Sequence, residues 1–566
     1  MTAPALQALA PGLWPHLIVA PLLLPMLTAA AMLLLGEKRR RIKGWVNIAS
    51  TFTGLVMAVM LLRWVDRHGV PGVVGVYLPS NWDVPYGIVL AADRLSALML
   101  VLAGIVALGA LLFAVARWDR AGVHFHPLFQ IQLMGLYGAF LTADLFNLFV
   151  FFEVMLAASY GLMLHGSGRQ RVSAGLHYVA INLVASSFFL IGAAMIYGVT
   201  GTLNFADLAV KIPHIPADDR GLLHAGAAIL ATAFLAKAAM WPMNAWLEPA
   251  YSAASAPVAG LFAIMTKVGV YAVLRLWTLL FSDQAGASAQ FGGPWLVVGG
   301  LVTVAFGSLG MLGAKRLARL ASFSVLISSG TLLAAIGFGR PALTGGALYY
   351  LASSTLSVSA FFLLAELVER SRVAAGDKPE GDTVPGRLDD GESNFDSRLG
   401  ANLDEEEELL IGRAIPAAMA FLGLSFIACT LLLSGMPPLS GFIGKLAILT
   451  AVLDPLDGPT VPRSAWALVA LMVGSGLVSM IALSRAGIRH FWAPQDRPAP
   501  RLRVIECLPI GLLVLACCAL VVNGDALVRY GRATAESLQH PTPYIDAVTT
   551  ARPAPSPSRM PEGIAP

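Results

Sequence analysis

Residues 233–275 read AFLAKAAMWPMNAWLEPAYSAASAPVAGLFAIMTKVGVYAVLR. Two apolar runs lie here, extending over about 222–247 and 254–280, and each has the roughly 20 mostly apolar residues that a membrane crossing needs. Each run carries one lysine, Lys237 and Lys267, and the first is interrupted by Pro242. A lysine at mid-membrane costs roughly 2.5–3.5 kcal/mol on insertion scales, so two in succession mark a bundle interior rather than a lipid-facing surface. A proline inside a helix has no N–H to donate and displaces the carbonyl four residues back, so Pro242 is expected to free the carbonyl of Ala238.

The rest of the chain repeats this pattern. Of its 566 residues, 57% are hydrophobic and 13% charged, where a soluble domain runs about 25% charged. The expectation is an all-α integral membrane protein with about fourteen spans. They run over 15–35, 44–63, 88–116, 126–143, 145–165, 174–199, 222–247, 254–280, 293–312, 318–338, 343–367, 413–452, 464–484 and 506–528. Span twelve is too long for one straight crossing and should be broken. The first run is followed, not preceded, by Glu37-Lys38-Arg39-Arg40-Arg41, so it reads as a retained span rather than a secretory signal. The formal charge of +4 gives no global basic field for nucleic acid. Four cysteines (Cys429, Cys507, Cys517 and Cys518) lack metal or redox spacing, and no nucleotide or flavin fingerprint occurs, so no cofactor is expected.

Basic residues alternate with the spans. Lys38 to Lys43, Arg117 and Arg120, Arg169 and Arg171, Lys315 to Arg319, and Arg485 to Arg503 fall in alternate loops, and the intervening loops are poorer in Lys and Arg. The positive-inside rule places the richer set in the cytoplasm and both termini outside, which requires an even number of spans. Residues 200–220 read as a short amphipathic external helix. Residues 371–411 form a polar loop whose acidic run Asp404–Glu408 either is a solvated helix start or attracts cations. The Pro-rich residues 531–566 are expected to be a disordered tail.

The helix break recurs. Met240-Trp241-Pro242-Met243-Asn244-Ala245-Trp246-Leu247 in span seven matches Met436-Pro437-Pro438-Leu439-Ser440-Gly441-Phe442-Ile443 in span twelve, 196 residues on, in all but Trp241 against Pro437. The span numbers differ by an odd number, so the copies cross in opposite directions, as in inverted-topology repeats. Pro437 and Pro438 are expected to free the carbonyls of Leu433 and Ser434, and both breaks to border hydrated cavities.

Four ionisable residues sit mid-span: Glu153, Lys237, Lys267 and Lys445. Burial disfavours the charged form of either group, and a neighbouring carboxylate favours a charged lysine. A lysine can therefore hold or release a proton according to its distance from a carboxylate, which arginine cannot do. If Glu153 and Lys237 separate, the proton can pass towards Lys267 and Lys445, with Ser322, Ser324, Ser328, Ser329, Ser353, Ser354 and Thr355 as candidate links. The alternatives are structural ion pairs, side chains snorkelling to the surface, and hydroxyls that serve helix packing. Asp144 is either a cation antenna or a helix cap; Asp93 favours the start of span three; Glu248 faces a half-channel. His124 and His126 form a His-x-His with no visible third metal ligand.

These residues resemble the antiporter-like membrane subunits shared by respiratory complex I, membrane-bound hydrogenases and the multi-subunit Mrp monovalent cation/proton antiporters. The likeness is greatest to the D subunits of the Mrp antiporters. It is carried by DLFNLFVFFEVMLAASY (144–160), by 233–275 and by LSGMPPLSGFIGKLAIL (433–449). The resemblance implies two inverted five-helix repeats, spans 4–8 and 9–13. The chain then divides into 1–120 (spans one to three), 121–282, 283–490 with the loop 371–411, 491–530 (span fourteen) and the tail 531–566. It implies that Glu153 and Lys237 are the key pair, Lys267 the next site and Lys445 the last, with Pro242, Pro437, Pro438, Asp144 and Glu248 in support. Several relatives carry a histidine and a lysine in span eleven, where this chain has YYLASSTLSVSAFFLLAEL (349–367). The implied function is a transporter subunit, not an enzyme, exchanging protons for Na⁺ or K⁺ within a hetero-oligomeric complex of a bacterial inner membrane. The alternatives are a proton-pumping subunit of a complex I-like or hydrogenase-like enzyme, and a scaffold with no ion path.

Overall fold

The computed structural model describes residues 16–36, 39–67, 73–122, 124–374, 417–454, 461–492 and 502–554. Helices α1 (His16–Leu34) and α2 (Arg40–Asp66) are followed by a two-stranded antiparallel ribbon, β1 (Gly75–Tyr77) on β2 (Leu90–Ala92). Then come α3 (Arg94–Ala116), α4 (Phe125–Leu141), α5 (Leu145–Met163), α6 (Arg169–Thr200), the short α7 (Phe205–Lys211), α8 (Ala217–Lys237), α9 (Leu247–Ala253) and α10 (Ala256–Leu280). The second half contains α11 (Gly293–Gly313), α12 (Leu317–Gly337), α13 (Pro341–Ala374), α14 (Ala417–Ser434), α15 (Ser440–Leu453), α16 (Arg463–Gly487), α17 (Val504–Val522), α18 (Gly524–Gln539) and α19 (Thr542–Thr549). The acidic run Asp404–Glu408 lies outside the described residues.

Among the described residues, twelve helices are long and apolar enough to cross a membrane. The remaining two expected spans are α4, of 17 residues, and α8, whose first turn carries Asp218 and Asp219. Span three begins at Arg94 rather than 88, because Asp93 accepts from the Ser96 N–H and caps the helix while Leu90–Ala92 form β2. The bundle is layered by burial: α10 is buried along its whole apolar window, whereas α2 is one-third buried. Spans eight, ten and eleven therefore form the protein interior, where polar groups can be matched instead of facing lipid.

Both expected breaks are present, but proline does not end either helix. The α8 ladder stops at Lys237, five residues before Pro242, and the chain stays unwound to Trp246. Ala239 takes φ +56° and Gly435 takes φ +75°, both left-handed. Directly after each, the Met240 N–H donates to Leu235 O (2.9 Å) and the Met436 N–H donates to Leu431 O (3.0 Å). A six-to-one bond across a left-handed residue closes a helix and turns the chain away. The offset of 196 residues thus holds in backbone conformation as well as in sequence. An alanine in that region costs roughly 1–2 kcal/mol, which its burial in the bundle offsets.

The groups exposed by unwinding find partners. Trp246 Nε1 donates to Ala236 O (3.0 Å), the Trp241 N–H to Thr303 Oγ1 (2.9 Å) on α11, and Lys445 Nζ to Ser434 O (2.8 Å) across the second break. The expected disordered tail is corrected over its first part: 531–539 continue α18 and 542–549 form α19. Tyr530 Oη donates to Arg94 O (2.8 Å), and Ala554 and Asn81 exchange two hydrogen bonds (2.6 and 3.1 Å). Buried Leu538, Tyr544 and Val548 supply the apolar anchors that offset the entropy of ordering this segment.

Candidate functional site

Glu153 sits in the middle of α5, half-buried, and its carboxylate accepts a hydrogen bond from Ser186 Oγ on α6. Lys237 is the last residue of α8 and is buried. Its Nζ lies 5.3 Å from the centroid of the Phe152 ring and has no hydrogen-bond partner among the described residues. The two charges are within electrostatic reach, yet among the described residues no salt bridge joins them. The aromatic face is a favourable but weaker neighbour for an ammonium than a carboxylate in contact would be.

The backbone behind Lys237 is tightly constrained. A Cβ at Gly269 of α10 would lie 2.6 Å from the Ala238 N and 2.8 Å from Phe234 O. Glycine there lets the Lys267 helix touch the end of the Lys237 helix. Gly269→Val is expected to separate them at a cost of roughly 1–3 kcal/mol. Thermal unfolding of the purified protein should show the loss, and unchanged stability would mean that the two helices part without strain.

Lys267 is buried on α10, and its Nζ donates to Ser329 Oγ (3.3 Å) on α12. Beside it on α12, Ser328 Oγ donates to Ser354 Oγ (2.8 Å) on α13, the helix that also carries the buried Tyr350 one turn earlier. The next hydroxyl on α13, Ser353, bonds Ser440 Oγ (2.8 Å) at the start of α15. Lys445 follows five residues later on the same helix, buried, its ammonium on Ser434 O. Buried polar pairs thus join α10 to α12, α12 to α13 and α13 to α15, and among the described residues no hydrogen bond links one pair to the next. Ser322 and Ser324 stand apart: each bonds a carbonyl one turn back on its own helix, as does Thr355.

Other residues find structural partners. Asp144 caps α5 by accepting from the Asn147 N–H (2.9 Å). Glu248 does not stand alone in a half-channel; it accepts from Arg319 Nε (2.6 Å). His126 is bonded through Nδ1 to Asn47 (2.9 Å). Asp93 forms a bidentate pair with Arg275 of α10, both contacts 2.6 Å, and Arg275 also lies over the Tyr271 and Tyr544 rings. Arg275 was not singled out from sequence, although an arginine inside the apolar run YAVLRLW was a usable signal. No sequence signal pointed to Ser186 or Ser440 as partners, because those pairings join residues on different helices.

Residues 142–477 match the family described as NADH:quinone oxidoreductase/Mrp antiporter, TM. This segment contains Glu153, Lys237, Lys267, Lys445 and both helix breaks. The chain belongs to this family. It is 50% identical over 541 residues to the D subunit of a probable K(+)/H(+) antiporter of Rhizobium meliloti (strain 1021), covering 95% of this chain and 98% of that one. It is 30% identical to the D subunit of the Na(+)/H(+) antiporter of Alkalihalophilus pseudofirmus, covering 94% of this chain and 99% of the other. Among solved structures it is similar to a chain of the Mrp complex from Dietzia sp. DQ12-45-1b, with TM-score 0.76, 26% identity and coverage of 94% and 99%. A chain of respiratory complex I from Thermus thermophilus shares the fold, with TM-score 0.71, 22% identity and coverage of 92% and 99%.

Proposed function

We propose that this chain is the proton-translocating D subunit of a multi-subunit antiporter that exchanges protons for Na⁺ or K⁺. Its protons move along Glu153, Lys237, Lys267 and Lys445. The observation that carries the reading is the buried, unpartnered ammonium of Lys237 beside Glu153, inside the segment that defines the family. K⁺ is the first cation to test, because the relative at 50% identity is named for it. The arginine-bearing loops come together on one face of the bundle, where Arg117, Arg169, Arg171, Arg316 and Arg370 line one cavity. We read that face as cytoplasmic, in a bacterial inner membrane, with both termini outside. A proton-pumping role in a redox enzyme is the second reading, favoured by the fold shared with complex I.

The test is fluorescence-reported proton flux in everted vesicles from cells expressing all subunits, with K⁺ and Na⁺ applied separately. Cation-driven flux supports antiport; no response to either cation, in vesicles shown to contain the assembled complex, removes it. Lys445→Ala is expected to impair flux. With no lysine or histidine in span eleven, we read the crossing as running through its hydroxyls and water. Ser353→Ala/Ser440→Ala is therefore expected to slow flux severalfold, and Tyr350→Phe to slow it less, with assembly unchanged. Wild-type rates in the double variant would take these hydroxyls out of the path.

A further inference from the structure

The arginine-lined cavity has none of Glu153, Lys237, Lys267 or Lys445 in its lining. Its volume is about 740 Å³, and its walls come from the α3–α4, α5–α6 and α9–α10 connections, the start of α12 and the last turns of α13. Five arginines face two carboxylates, Glu366 and Glu369. Both carboxylates are already engaged. Glu366 accepts from Trp118 Nε1 (2.8 and 2.9 Å), and Glu369 accepts from the Leu317 N–H (3.1 Å) at the start of α12. Two of the arginines are also committed. Arg370 pairs with Glu506 (2.8 Å); Arg171 donates to Ala253 O (3.0 Å) and lies over the Trp118 ring. Arg117, Arg169 and Arg316 are left with no ion pair among the described residues.

Two further groups point to an anion. The 32-residue helix α6 begins at this cavity with Gly168 as its N-cap, so no side chain covers its first N–H groups. Ser255, 2% exposed, lines the cavity with a hydroxyl that has no partner. Unpaired guanidiniums, the positive end of a long helix and a free hydroxyl donor together match an oxyanion with several acceptors. A cation would meet a wall of net positive charge. We propose that this cavity binds a phosphate group, held by Arg117, Arg169, Arg316, the Ser255 hydroxyl and the α6 N-terminus. The group is carried either by an anionic phospholipid of the adjoining leaflet or by a soluble phosphate, and basic pockets between helices on the cytoplasmic side suit the former.

The test uses the purified, delipidated whole complex and measures binding by native mass spectrometry and thermal shift. The probes are phosphatidylglycerol, phosphatidylcholine of the same chains, and inorganic phosphate. Phosphatidylglycerol binding that exceeds phosphatidylcholine binding, and that falls on the order of a hundredfold in Arg117→Gln/Arg169→Gln/Arg316→Gln, supports the site with a lipid source. The same loss seen with inorganic phosphate supports it with a soluble source. If the triple variant does not assemble, Arg316→Gln and Ser255→Ala carry the test, each expected to weaken binding severalfold. Binding of neither probe, or equal affinity in wild type and variants, overturns the proposal. The readout requires no transport, so its failure is separable from failure of the antiport reading.

Discussion

Lys237→Ala is expected to reduce cation-driven proton flux to the level of vesicles lacking the complex, while the complex still assembles. The expectation rests on where the amine sits. It is buried, it has no hydrogen-bond partner, and its neighbour Glu153 is held instead by Ser186 on α6. An ammonium placed for structure would have its donors satisfied, because an unmatched buried charge is costly. The discriminating variant is Lys237→Arg, which keeps the positive charge but cannot release a proton. Loss of flux in both variants, with the other subunits co-purifying, assigns the proton to Lys237. Normal flux with arginine would falsify the carrier role and leave a structural cation. Glu153→Gln should fall with them, since it leaves nothing to draw the lysine proton back.

Arg275→Ala is expected to destabilise the protein by roughly 3–5 kcal/mol, the usual loss when one member of a buried ion pair is removed. Asp93 would keep its cap on the Ser96 N–H but lose both of its 2.6 Å contacts, leaving a carboxylate uncompensated between α3 and α10. The Tyr271 and Tyr544 rings that flank the guanidinium would lose their cation as well, which loosens α19. Thermal unfolding and yield of the purified protein measure the effect. The double variant Asp93→Asn/Arg275→Gln removes both charges and retains a cap acceptor, so it should recover part of the loss. A single variant as stable as wild type would show that this pair does not hold α10 in place. This effect is on stability, whereas that of Lys237→Ala is on flux alone, so the two kinds of charge are experimentally separable.

Much of the bundle was legible before any coordinates. Runs of about 20 apolar residues have one solution in lipid, a helix whose backbone bonds are internal. Span positions therefore follow from composition, to within a few residues at most ends. The matched breaks were legible for the same reason, since Met240-Trp241-Pro242 and Met436-Pro437-Pro438 sit inside runs that should not tolerate proline. What ended the helices was less visible: alanine at 239 gives no hint of a left-handed residue, and the closing bond to Leu235 depends on it. The tail was misread because proline content suggests disorder, whereas Leu538, Tyr544 and Val548 are buried against the bundle. Local composition reports intrinsic preference and does not contain the surface a segment will meet.

The sequence alone determined that four charges, Glu153, Lys237, Lys267 and Lys445, lie in apolar spans beside two matched breaks. The cost of such charges in hydrocarbon is a property of residue type and depth, so it can be read one span at a time. Only the tertiary structure decided what each charge faces. It set Lys237 on an aromatic ring rather than on Glu153, turned Glu248 to Arg319, and joined Asp93 to Arg275. It also paired Lys267 with Ser329, Ser328 with Ser354, and Ser353 with Ser440. Hydrogen bonds and ion pairs act over about 3 Å, here between side chains 26 to 182 positions apart in the chain, and that proximity exists only once the helices have packed.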